Sequence, residues 1–134
     1  MQSHLSHLQI NIDPANLPFY RDLMAFLGWR TIYADDTMLG VVTQGPALWF
    51  TPAGKQVAND YDGPGMNHVS IGVAAQADVD TAAEYLTERG VALLFDTPRH
   101  RPEFSASEND TYYQIMFESP DRVLFEIVYE GPKS

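Results

Sequence analysis

The strongest constraint on the fold is a strand-like segment, led by a histidine, that occurs twice in the chain. The first copy covers residues 5–12 and the second covers residues 66–73. Behind His7 and His68, apolar residues alternate with small or polar ones. Strict alternation predicts a half-buried β-strand, because successive side chains point to opposite faces of a sheet. A helical segment and further strand-like segments follow each copy, so we predict two βαβββ modules in tandem.

The module boundaries follow from turn and helix-stop signals. The helical segments end at Gly28 and Gly90, which suit the left-handed residue that closes a helix. We place module one at residues 1–52, a linker rich in Gly, Asp and Pro at 53–65, and module two at 66–134, all within a single domain. The strands that follow the helices are predicted at residues 30–34, 38–43, 47–51, 91–95, 112–117 and 123–129, and the second helix at 77–88. Residues 96–110 are predicted to form a long surface loop.

Composition excludes several classes of function. The chain has 18 acidic and 8 basic residues, a formal net charge of −10, which argues against nucleic acid and anionic membrane surfaces as partners. No segment approaches the run of about 18 apolar residues that a membrane span requires, and the N-terminus lacks the features of a secretory signal. The absence of cysteine excludes disulfides and thiolate metal ligands and fits a reducing compartment. A cytoplasmic location is therefore expected.

Glu126 is a carboxylate in the middle of the apolar segment 123–129. A buried charge is costly unless it is paired or bound to a cation. With His7 and His68 it offers two imidazoles and one carboxylate, a set that can hold one divalent ion and leave positions open for substrate or water. Iron, manganese, zinc, nickel and cobalt all suit such ligands. Spacing alone leaves a second interpretation open, in which the histidines are hydrogen-bonded in a core and the glutamate lies on an edge strand.

A small-molecule pocket is predicted beside these ligands if the histidine faces of the strands point inward. The candidate substrate-binding residues are Gln9, Asn11, Ser70, Tyr112 and one or both of Trp49 and Phe50, which together provide an aromatic wall with a few polar groups.

The candidate catalytic residues are Glu126, Tyr113 and His100. An inward tyrosine can donate to a metal-bound oxyanion, but alternation sends only one of Tyr112 and Tyr113 inward, and the sequence leaves the register open. His100 can act as an acid–base group near neutral pH if its loop folds over the site. A solvated loop histidine is the alternative.

Several segments resemble the vicinal oxygen chelate superfamily, which includes glyoxalase I, extradiol dioxygenases, fosfomycin-resistance enzymes and bleomycin-resistance proteins. The resemblance lies in LSHLQINID at residues 5–13, FY at 19–20, LG at 27–28, NHV at 67–69 and FESPDRVLFE at 117–126, the last similar to a closing F-x-D-P-D-G-x-x-x-E motif. It implies an α+β fold of paired βαβββ modules whose partly open mixed sheet forms a cup around a metal. It also places His7, His68 and Glu126 at metal-ligand positions.

The resemblance also implies a class of function. Glyoxalase I usually has a fourth ligand, a glutamate in the region of residues 47–51, but this segment reads ALWFT and has no carboxylate. A three-ligand site like that of the extradiol dioxygenases is therefore implied, although the further histidine of those enzymes is missing from residues 109–114. We expect a divalent-metal-dependent enzyme, dioxygenase-, lyase- or isomerase-like, that binds its substrate through neighbouring oxygens.

Two other functions remain open at this stage. One is a drug-resistance protein that binds a small molecule without chemistry, and the other is a relic fold with an empty site. The cup can close within one chain or by pairing two chains as a homodimer, and family analogy favours the homodimer.

Overall fold

The computed structural model describes all 134 residues and divides them into two compact units, Met1–Ala58 and Asn59–Ser134. Each unit is a four-stranded sheet with one α-helix. The first contains β1 (His7–Ile12), α1 (Leu17–Phe26), β2 (Arg30–Ala34), β3 (Leu39–Val42) and β4 (Ala47–Pro52). The second contains β5 (Val69–Gly72), α2 (Gln76–Glu88), β6 (Arg99–His100), β7 (Asp110–Glu118) and β8 (Leu124–Pro132). Short 3-10 helices cover Pro14–Asn16 and Pro102–Phe104.

The two units have the same topology. Their strand orders are β1-β4-β3-β2 and β5-β8-β7-β6. In each sheet the first strand runs parallel to the last, and the remaining neighbours are antiparallel. The prediction of an α+β fold made of tandem βαβββ modules is confirmed.

The first unit buries one side of its sheet beneath α1. This helix buries Leu17, Tyr20, Leu23 and Met24, and the Tyr20 ring stacks on Phe50 with a centroid distance of 4.6 Å. Phe50 is fully buried. It is therefore a core residue, and its prediction as a pocket residue is wrong.

The second unit is built in the same way around α2. The predicted stripe of Val79, Ala82, Ala83 and Leu86 is buried, and Phe117 stacks on Phe125 within the sheet. Neither helix of the chain is long and apolar enough to cross a membrane.

The second strand of the second unit lies later in the chain than predicted. Within the predicted strand at residues 91–95, only Leu93 forms an isolated bridge, to Phe117. The chain then turns through Phe95 and Asp96, which both have a φ of 58°, and this left-handed backbone cannot continue a strand. The strand that takes the place of the predicted one, at the edge of the sheet beside β7, is β6, which lies inside the predicted loop.

Candidate metal and substrate site

Glu126 lies on β8, with a side chain that is almost completely buried. Its carboxylate accepts a hydrogen bond from the Ser70 hydroxyl at 2.6 Å and from the Tyr112 hydroxyl at 2.9 and 3.0 Å to the two oxygens. The Gln114 side-chain amide also donates to it. These donors offset the cost of burying the carboxylate and fix its orientation.

His68 lies directly before β5 and faces this carboxylate. Its Nε2 atom is 3.7 Å from Glu126 Oε1, and its side chain is 35% exposed. Bonds from imidazole nitrogen and carboxylate oxygen to a divalent metal are about 2.1 Å long, so one ion can reach two ligand atoms that are less than about 4.2 Å apart. The distance and chemistry of this pair therefore fit a divalent ion.

The third predicted ligand lies in the other compact unit. His7 begins β1, has an exposed side chain, and has its Nδ1 atom 3.4 Å from the Ser6 hydroxyl. No three histidine, cysteine, aspartate or glutamate side chains of the chain are grouped to hold a metal ion. His68 and Glu126 thus form a two-ligand arrangement within the second unit.

The pairing of β7 with β8 determines which tyrosine faces Glu126. Met116 is paired with Glu126, so Gln114 and Tyr112, which precede Met116 at intervals of two residues, share its side of the sheet. Tyr112 is therefore the inward tyrosine. Burial, the hydrogen bond to Glu126 and the charge of Glu126 raise the pKa of Tyr112, so its phenol remains a hydrogen-bond donor at neutral pH.

Tyr113 and His100 lie on the opposite side of the sheet. The Tyr113 hydroxyl donates to Asp80 at 2.7 Å, and burial with this hydrogen bond raises the pKa of Tyr113 to about 12. His100 is paired with Tyr113, its ring lies 4.5 Å from the tyrosine ring, and its Nδ1 contacts the Thr111 hydroxyl at 2.5 Å. Because side chains alternate across the strand, neither residue belongs to the Glu126 cluster, which corrects the assignment of both as catalytic candidates.

A cavity of about 510 Å³ opens beside His68 and Glu126. Its lining combines apolar and polar side chains, as is usual for small-molecule sites. The apolar residues are Phe95, Phe104, Met116 and Leu124, and the others are Tyr61, Asp62, Asn67, His68, Arg101, Tyr112, Gln114 and Glu126.

Arg101 is the only lysine or arginine in this lining, and the sequence analysis missed it. Its Nε donates to Glu103 at 2.5 Å, its Nη1 donates to the Gln114 side-chain oxygen at 3.1 Å, and its guanidinium lies 4.7 Å from the centre of the Phe104 ring. These hydrogen bonds occupy two of the five N–H donors of a guanidinium. Because side chains alternate along a strand, Arg101 lies on the cavity side while His100 lies on the opposite side. The sequence does not indicate this difference when residues 96–110 are interpreted as a loop, in which side chains do not alternate.

In the first unit, the predicted pocket residues share one face of the sheet with His7. Alternation along β1 places Gln9 and Asn11 on the His7 face, and the parallel pairing with β4 puts Trp49 beside Gln9. The Trp49 side chain is half-buried, and its ring lies 6.0 Å from that of Tyr33.

Trp49 can take this position only because residue 40 is a glycine. A Cβ atom at Gly40 would lie 2.7–2.9 Å from three atoms of the indole ring. We expect Gly40→Ala to move the ring, to change the tryptophan fluorescence, and to lower the free energy of unfolding by about 1–3 kcal/mol. Chemical denaturation followed by fluorescence measures both effects. Gly72→Ala is the matched control, since a Cβ atom on that strand glycine meets nothing within 4 Å; equal effects of the two changes would contradict the steric explanation.

Solved structures with a similar fold provide the comparison with known proteins, whereas no family model and no curated protein sequence matches the chain. A provisionally assigned glyoxalase from Bacillus halodurans is 24% identical, with 96% of each chain covered and a TM-score of 0.78. The fosfomycin resistance protein FosX from Listeria monocytogenes, solved with Mn(II) and sulfate, is 20% identical over 99% of this chain and 93% of its own, with a TM-score of 0.67. FosX from Mesorhizobium loti is 22% identical over 96% and 93% of the two chains, with a TM-score of 0.64.

The ligands in these structures were bound by the neighbouring proteins. A variant of the Listeria FosX was solved with Mn(II) and 1S,2S-dihydroxypropylphosphonic acid, at 20% identity and a TM-score of 0.66. The paired βαβββ units and these neighbours show that the chain has the fold of the vicinal oxygen chelate superfamily.

Proposed function

We propose that this protein is a divalent-metal-dependent enzyme that binds a small molecule through two neighbouring oxygen atoms, with His7, His68 and Glu126 as the metal ligands. The observation that carries the proposal is the buried Glu126 carboxylate facing His68 Nε2 beside a cavity. A purely structural ion pair needs no adjoining cavity, whereas a metal site needs room for substrate. The Mn(II) complexes of FosX support the choice of a divalent ion.

The side chains around the ligands have separate roles in this proposal. The metal would supply Lewis-acid polarisation of the substrate oxygens. Ser70 and Gln114 hold the Glu126 carboxylate in one orientation. The Tyr112 phenol, which stays protonated because its pKa is raised, directs its single O–H at Glu126 and would turn it to the substrate oxygen on which negative charge develops. Gln9, Asn11 and Trp49, which share the face of His7, contact the substrate from the first unit.

Arg101 supports one class of substrate. A guanidinium binds carboxylate, phosphate and phosphonate groups through paired hydrogen bonds, and Arg101 is the only permanently cationic side chain that lines the cavity. We propose that the substrate carries an anionic group next to its two neighbouring oxygens. The dihydroxypropylphosphonic acid bound by FosX has both features, and it supports a phosphonate as the first anion to test.

A homodimer completes the site in this proposal. Leu5 and Met66 each precede one of the two ligand histidines by two residues, and they are 60% and 55% exposed. Phe95 and Phe104, on the cavity wall, are exposed to a similar extent. Exposed apolar side chains such as Phe95 and Phe104 on a cavity wall are typical of a surface that is covered by a partner. A second copy of the chain would cover them and bring its own His7.

Elemental analysis of the purified protein tests the metal proposal. We expect about one divalent ion per chain in the wild type, and almost none in His68→Ala or Glu126→Gln, because three protein ligands hold such an ion and two do not. His100→Ala is the matched control, because this histidine lies on the opposite side of the sheet from Glu126, and it should keep the wild-type content. A wild-type protein that takes up no iron, manganese, zinc, nickel or cobalt would overturn the metal-dependent enzyme and leave a ligand-binding cavity without metal chemistry.

A further inference from the structure

The imidazole of His68 is held from its far side by its neighbour in sequence. The Asn67 side-chain oxygen lies 2.7 Å from His68 Nδ1, while His68 Nε2 faces Glu126. The same Asn67 side chain donates from its nitrogen to the backbone carbonyl of Tyr61 at 3.0 Å. Asn67 thus connects the histidine ring to the preceding segment of the chain.

The Tyr61 carbonyl determines the orientation of the Asn67 amide. A carbonyl oxygen can only accept a hydrogen bond, so the Asn67 nitrogen must face it. Exchanging the two ends of the amide would place two acceptor oxygens about 3 Å apart and remove that hydrogen bond. The Asn67 oxygen therefore faces His68 Nδ1, and this oxygen is satisfied only if Nδ1 carries a proton. In a neutral imidazole the lone pair is then on Nε2, the atom that faces Glu126.

Tyr61 is itself anchored through its side chain. The Tyr61 hydroxyl donates to Glu118, and burial adds to this hydrogen bond in raising the pKa of Tyr61. Tyr61 and Asn67 are thus tied to the β7–β8 hairpin, the same hairpin that carries Glu126. His68, through Asn67 and Tyr61, and Glu126 are therefore both attached to one hairpin.

We propose that Asn67 is a positioning residue that keeps the proton of neutral His68 on Nδ1 and presents the Nε2 lone pair toward Glu126 for a metal ion. The metal-directed part of this role rests on the proposed function. Hydrogen bonds from the second nitrogen of a ligand histidine fix its tautomer and ring orientation, and their loss lowers metal affinity by about 10- to 100-fold. Free imidazole side chains favour the proton on Nε2, so the tautomer of His68 depends on Asn67.

The tautomer can be measured without any metal. In metal-free protein labelled with nitrogen-15, at a pH where the imidazole is neutral, the ring chemical shifts should report a proton on Nδ1 in the wild type. Asn67→Ala should move the population toward a proton on Nε2. Asn67→Asp should keep the proton on Nδ1, because its carboxylate accepts the same hydrogen bond, although it loses the hydrogen bond to the Tyr61 carbonyl. Titration with Mn²⁺ alone should show an affinity about 10- to 100-fold weaker for Asn67→Ala than for the wild type.

Asn59→Ala is the matched control. Asn59 also ties this segment to the hairpin, by donating to the Arg122 carbonyl at 2.9 Å, but it has no hydrogen bond to the imidazole. It should leave the His68 tautomer unchanged. A wild-type protein with its proton on Nε2, or an Asn67→Ala variant that keeps the Nδ1 proton, would overturn the proposal. A tautomer that follows Asn67 in a protein that binds no divalent ion would overturn the proposed function and uphold the positioning role.

Discussion

A mixture of His7→Ala chains and His68→Ala chains is expected to bind metal, although neither variant binds it alone. If each site takes His7 from one chain and His68 with Glu126 from the other, a mixed dimer contains one site with both substitutions and one site with neither. The intact site restores binding without any new contact. Random mixing makes half of the dimers mixed, so about one ion is expected for every four chains. Co-refolding of the two variants followed by elemental analysis measures this ratio.

The control for this experiment is a mixture of His68→Ala and Glu126→Gln chains. These two residues belong to the same compact unit, with His68 Nε2 3.7 Å from Glu126 Oε1. Every site in a mixed dimer therefore contains one substituted ligand. This mixture should remain without metal. If the first mixture also remains without metal while the two chains associate, the site is built within one chain, which would contradict the shared-site prediction.

Local patterns in the sequence were sufficient to predict the repeated architecture. Alternation behind His7 and His68 predicted β1 and β5, because one face of each strand is buried and the other is exposed. The positions of Gly28 and Gly90 after the helices agree with their positive φ angles of 83° and 75°. Each of these features depends only on residues close to one another in the chain.

The parts of the site that the sequence analysis assigned wrongly depend on strand pairing. The choice between Tyr112 and Tyr113 is determined by the pairing of Met116 with Glu126 across the hairpin, and no pattern within β7 contains that information. The two-residue strand β6 is too short to show alternation, so Arg101 and His100 could not be assigned to opposite faces. The turn at Phe95 and Asp96 uses a left-handed backbone that no glycine signals.

Replacing Arg101 by glutamine is expected to weaken the binding of a diol phosphonate to the metal-loaded protein by about 30-fold, which corresponds to about 2 kcal/mol for charge-assisted hydrogen bonds. The loss should diminish at high salt, because the Arg101 side chain is 25% exposed and its charge is partly screened by ions. Calorimetric titration measures both effects. Arg99→Gln is the matched control, since it removes the same charge two residues away on an exposed side chain that does not line the cavity, and it should change the affinity little.

A second ligand separates binding of the anion from an indirect effect on the metal. Arg101 donates to the oxygen of the Gln114 amide, and the nitrogen of the same amide donates to Glu126, so removing the guanidinium can also loosen the carboxylate. The same diol without its phosphonate reports only this indirect route, because it has no negative charge for Arg101 to bind. We therefore expect Arg101→Gln to abolish the preference for the phosphonate over the uncharged diol. Equal losses for the two ligands would mean that Arg101 acts through Gln114 and Glu126, and would contradict an anionic substrate.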